Sequence, residues 1–89
     1  MAFKLKTTPS TEPKEITLPC GSVAIIKPGK GRDAAEAAKV ADGNPGLIMP
    51  AIMARLITID GETGVAEDFL ELPIPDYMKL MEELGANFT

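Results

Sequence analysis

The chain has 89 residues with a formal net charge of −4, no His, no Trp, a single cysteine (Cys20) and four aromatics. This is the length of one small domain with a modest core, here built from aliphatic residues and Met. Without His the commonest general base and neutral metal ligand are missing, and one cysteine makes neither an intramolecular disulfide nor a cysteine cluster, so an enzyme is not expected and no cofactor is expected.

In chain order, the opening MAFKLKTTPSTEPK has no apolar h-region and does not read as a signal peptide. Residues 1–13 read as a flexible polar arm interrupted by Pro9 and Pro13. KEITL, PCGS and VAIIK then read as strand, turn and strand, a β-hairpin over residues 14–27. Two strands are marginal alone, so Ile16 or Leu18 and Ile25 or Val23 are expected to point into covering helices.

Pro28 ends the second strand. Asp33 followed by Glu36 has the spacing of a capping box, which places a helix from Asp33 to Ala41 with Gly43 as its C′ residue. Asn44-Pro45 is a cap followed by an N1 proline. Leu47 to Ile59 reads as a helix apolar on most of its circumference, with Arg55 its only charged residue and Pro50 either kinking it or opening it. Asp60 to Gly64 is a turn, and a short amphipathic stretch carries Phe69, Leu70 and Leu72. Pro75 suits N1 of a last helix with Asp76 favourable to its dipole. Tyr77, Leu80, Met81 and Leu84 share one face, and Gly85 is expected to stop the helix. The expected fold is therefore α+β, with an N-terminal β-hairpin packed against three to four short helices over residues 14–89.

Two stretches resemble ligand sites without completing one. KPGKGRDAA lacks both the spacing and the Ser/Thr of a Walker loop and the third glycine of a dinucleotide loop, and its aspartate competes for the N–H groups an anion needs. Asp60, Glu62, Asp68 and Glu71 fall at EF-hand positions, but Gly64 and Val65 stand where that loop needs an acid or amide and a glycine. Met49, Met53, Met78 and Met81 fill a core by default and serve adaptable surfaces otherwise.

Residues 1–32 carry six Lys/Arg against two Asp/Glu, and residues 33–89 three against eleven. With the apolar 47–59 segment, this asymmetry points to self-association, the chain acting as a homo-oligomer. Overall acidity and few aromatics speak against nucleic acid, and no apolar run is long enough for a membrane, so a cytosolic protein is expected. The residues expected to bind a partner are Leu47, Met49, Ile52, Met53, Leu56, Tyr77 and Met81, since apolar helical grooves accept amphipathic helices.

The order of IIKPGKGRD, LITIDG, EDFLELP and a last helix opened by Asp76 resembles the tail assembly chaperones of Mu-like and P2-like contractile-tailed bacteriophages and prophages. Lys27, Pro28, Asp33, Ile59, Asp60, Gly61, Asp68, Leu72, Asp76 and Phe88 carry the resemblance, which covers residues 14–88. KPGKGRD departs from it, being longer and richer in glycine than the expected link. The resemblance implies a non-enzymatic protein of the host bacterial cytoplasm. Such a protein coats the tape measure protein, keeps it soluble, assists polymerisation of the tail tube protein and leaves before the tail is complete. Proteins of that family often also have a longer, frameshifted form, and the resemblance makes this chain the short form. The alternative is a small cytosolic regulator or adaptor, antitoxin-like, acting by homodimerisation.

Overall fold

A computed structural model describes residues 12–88 of the chain, with side chains to residue 85. The arm expected over residues 1–13 thus lies, apart from Glu12 and Pro13, outside the described residues.

Strands β1 (Lys14–Thr17) and β2 (Val23–Ile26) pair antiparallel, with Lys14 opposite Ile26 and Thr17 opposite Val23. The turn between them closes through Leu18 N–H to the Ser22 carbonyl and Gly21 N–H to the Leu18 carbonyl, both 2.8 Å. Gly21 sits at φ +97°, a conformation costly for any residue with a Cβ. The expected hairpin is therefore present.

A third strand, β3 (Ile57–Ile59), pairs antiparallel with the other edge of β2, giving the order β1-β2-β3. This corrects the expectation of one helix from Leu47 to Ile59. A 3₁₀ turn (Pro45–Leu47) leads into α2 (Ile48–Leu56), and the chain passes directly from α2 into β3. Ile57, Thr58 and Ile59 are all β-branched and lose side-chain freedom in a helix. In the sheet they gain a ladder, extended by Lys27 N–H to the Leu56 carbonyl and Asp60 N–H to the Val23 carbonyl at 2.8 Å each. Pro50 lies in the first turn of α2, where its missing N–H costs nothing and no kink follows.

One face of the sheet is covered by helices. Leu18, Ala24, Ile26 and Ile57 are buried there, and Ile16 packs against them. Val23, Ile25 and Thr58 occupy the opposite face and are half-exposed, which reverses the expected inward parity of β2. The pairing decides it, because Ile26 stands opposite Ile57 and Ala24 opposite Ile59.

Helix α1 (Gly31–Ala41) begins three residues earlier than a cap at Asp33 implies, with Lys30 at the N-cap. Asp33 is therefore the N3 residue, and its Oδ2 accepts from Lys30 N–H at 2.9 Å. The carboxylate half of a capping box is present without a Ser or Thr partner. Asp33 Oδ1 also accepts from Arg55 Nε at 3.0 Å, so the lone charge of α2 ties that helix to the start of α1. Ala37 and Ala41 are buried on α1, and their small side chains let α1 and α2 lie close.

Helix α3 (Ala66–Leu70) starts with the same device, Asp68 Oδ2 accepting from Val65 N–H at 2.8 Å. Helix α4 (Ile74–Phe88) runs past Gly85 rather than ending at it. A helical glycine costs only about 1 kcal/mol, and the turns before it are anchored by the fully buried Leu80 and Leu84. α2 is the central element, with Pro50 to Met53 and Leu56 buried.

Asp76, in the first turn of α4, is buried and accepts from Cys20 N–H at 3.0 Å. This bond ties the β1–β2 turn to a helix 56 residues further on. Asp76→Ala would leave that N–H without its acceptor, at an expected cost of about 1–3 kcal/mol. A urea titration measures it, and Asp76→Asn, which keeps an acceptor oxygen, should recover part of the loss.

Candidate interaction surface

The structure divides the seven residues expected to bind a partner. Ile52, Met53 and Leu56 are core residues, and Leu47, Met49, Tyr77 and Met81 are half-buried. The apolar circumference of α2 is thus covered by its own domain, from α1 on one side and α3 on another. Its inner residues are corrected from contact surface to core.

A different surface is open. Among the described residues Leu70 is 48% exposed, Ile74 78% and Met78 58%. With Leu72 and Tyr77 they line a shallow depression of about 380 Å³ where α3 passes into α4. Met78 also borders a second concavity, of about 470 Å³, with Pro19, Pro75 and Met81. The β1–β2 turn held by Asp76 therefore frames the same surface.

The helical period explains the exposure. Ile74, Met78 and Glu82 are spaced four apart and share the outer face of α4, whereas Leu80 and Leu84 enter the core. Tyr77 and Met81 lie at the border between the two. Spacing alone does not single out Ile74 and Met78, because the Tyr77/Leu80/Met81/Leu84 face already accounts for a buried side. The signal was present as two large apolar residues four apart, off that face.

Glu82 borders the second concavity together with Lys79, and Glu67, Asp68 and Glu71 are exposed on and just after α3. Lys79 is 3.3 Å from Glu83 at i,i+4, and Lys14 also pairs with Glu83. The hydrogen bond from Lys14 above all, and then the one from Lys79, hold the Glu83 carboxyl below its ordinary range against the opposing effect of burial. Asp33 is lowered chiefly by the Lys30 N–H, with Arg55 adding to it, and Asp60 chiefly by the Val23 N–H.

A carboxyl lowered in the folded state stabilises the fold above its unfolded pKa, and that contribution disappears as pH falls through the folded value. The thermal midpoint should therefore stay flat from neutral pH to about pH 5 and fall below about pH 4. Glu83→Gln should remove part of that acid slope in a melting series from pH 7 to 2.

The two motif fragments do other work. At the start of α1, Lys30 N–H already serves Asp33, the group a bound phosphate would have to displace. Gly29 is a packing glycine, since a Cβ there would lie 2.8 Å from Leu56 Cδ1. In the DGETG turn, Asp60 Oδ1 accepts from Val23 N–H at 3.0 Å, and Asp68 is committed to Val65. Among the described residues no three His, Cys, Asp or Glu side chains are grouped to hold a metal ion. No helix among them is long and apolar enough to cross a membrane. Comparison with protein-family models, curated proteins and solved structures gives no match.

Proposed function

We propose that this protein is a non-enzymatic tail assembly chaperone that holds the tape measure protein of a contractile-tailed phage or prophage in the host cytoplasm while tail tube protein assembles around it. The observation that carries the binding part is the exposed apolar surface of Leu70, Ile74 and Met78 beside Tyr77. Apolar side chains at helical spacing beside a shallow groove fit the apolar face of an amphipathic helix. Glu82 beside Met78 and the exposed acids of α3 suit Lys and Arg flanking that face. The partner's identity rests on the order of sequence features between Lys27 and Phe88.

Homodimerisation through the same surface is less favourable. A two-fold contact sets one patch against its own copy, so Glu82, which borders it beside Met78, meets a surface carrying the same acid. A chemically different chain avoids that repulsion. Co-expression with the tape measure protein of the same tail gene cluster tests the proposal. A soluble complex recovered by size exclusion supports it. A tape measure protein equally soluble without this chain, and no complex, refutes it in favour of the regulator.

A further inference from the structure

We infer that the chain forms a weak two-fold dimer by pairing the outer edge of β1 with the same edge of a second copy. The hydrogen bonds show which edge is open. Leu18 N–H donates to the Ser22 carbonyl, and the antiparallel alternation then turns the backbone groups of Ile16 and Lys14 toward β2 as well. The N–H and C=O groups of Glu15 and Thr17 face the other way, where no strand among the described residues pairs with them. The far edge of the sheet is closed by the chain itself. Ile59 exchanges both its backbone bonds with Glu62 at 3.0 Å each, and Ile57 N–H donates to the Met53 carbonyl.

The open edge fits its own copy in one register. An antiparallel pair centred on Ile16 sets Glu15 opposite Thr17 of the second copy, and Thr17 opposite its Glu15. Each such pair exchanges both backbone bonds, so the seam gains about four of them. Ile16, half-buried on the helix-covered face, meets Ile16 of the copy at the centre as a close non-hydrogen-bonded pair. Centring on Glu15 would set two carboxylates directly opposite each other, which is destabilising. Centring on Thr17 would set Glu15 against Pro19, which has no N–H to give.

The flanking prolines favour a second copy over an unrelated strand. In the Ile16 register Pro13 opposes Pro19, so both runs end at the same place. An uninterrupted strand would carry carbonyls that find no donor at either proline. Since the β3 edge is closed, pairing stops at two copies instead of growing into a filament. The seam is short, so the dimer is weak and forms at high concentration. The ladder uses no residue of the α3–α4 surface and does not depend on the proposed function.

Sedimentation and NMR on the full chain test it. The expected result is a monomer converting to a dimer between micromolar and millimolar concentration. In a mixture of isotope-labelled and unlabelled chain, a nuclear Overhauser contact should join the Ile16 α-protons of the two copies. Thr17→Pro removes an N–H that the intrachain ladder does not use, so the melting curve should stay while dimerisation weakens about 30-fold, half of the seam's bonds being lost. A strict monomer at millimolar concentration overturns the inference. So does a dimer without the Ile16 contact, and a contact joining Ile74 or Met78 would move the interface to the α3–α4 surface. A folded Thr17→Pro variant that dimerises like wild type overturns it as well. If that variant does not fold, the Ile16 contact in the wild-type mixture decides alone.

Discussion

Met53→Asp is expected to abolish folding. Met53 is fully buried in the middle of α2, within the cluster formed by Ile26, Ile57, Leu80 and Leu84. A carboxylate there loses water and meets no cation, since Arg55 is directed to Asp33. The effective penalty of burying an unpaired charge is several kcal/mol, against a whole-domain stability of about 5–15 kcal/mol. The milder Met53→Ala should cost about 2–5 kcal/mol by losing apolar contact and leaving a cavity. Circular dichroism and urea titration read both. A Met53→Asp variant that unfolds cooperatively near the wild-type midpoint would mean that α2 is not the core.

Ile74→Asp/Met78→Asp is expected to do the opposite, keeping the fold and losing the partner. Both side chains are more than half exposed, and surface substitutions of that kind usually change stability by about 0.5 kcal/mol or less. At the centre of an interface the same changes place two carboxylates against apolar groups. A hot-spot residue at such a centre carries about 2 kcal/mol or more, so the loss of one alone should lower affinity for a tape measure helix about 30-fold and the loss of both by more. Isothermal titration reads the affinity, and the melting curve confirms that the variant is folded.

The sequence reveals the local parts of this fold and hides the tertiary ones. The β1–β2 hairpin is legible because Ile16 and Leu18 alternate with polar residues and Pro19-Cys20-Gly21-Ser22 is a turn. The end of α1 and the cap at Asn44, whose Oδ1 accepts from Gly46 N–H at 3.0 Å, follow from single residues. β3 is not legible, because Leu47 to Ile59 is one apolar run and burial on several sides hides the change from helical to strand period. Nor is the parity of β2, since Val23 and Ile25 are as apolar as Ile26 and only the pairing with Ile57 chooses between them. Asp76 reads as a dipole partner in sequence, while its bond to Cys20 N–H spans 56 residues.

The burial of α2 by its own domain is hidden for a related reason. An all-apolar helix signals burial but not by what, and here α1 and α3 supply the cover that a partner was expected to give. The exposed alternative at Ile74 and Met78 depends on which face of α4 meets the core, a fact of packing rather than of spacing.

Recognition of a helical partner through the α3–α4 surface is tested most directly by co-expressing the tape measure protein with three forms of this chain and measuring its soluble fraction. The forms are wild type, Ile74→Asp/Met78→Asp, and Val40→Asp. Val40 is 64% exposed on α1, so its variant places one such carboxylate at an exposed apolar site on a different helix. The expected result is soluble tape measure protein with wild type and with Val40→Asp, and aggregated protein with the double variant. Equal solubility with wild type and the double variant, both folded, would contradict the assignment of the surface.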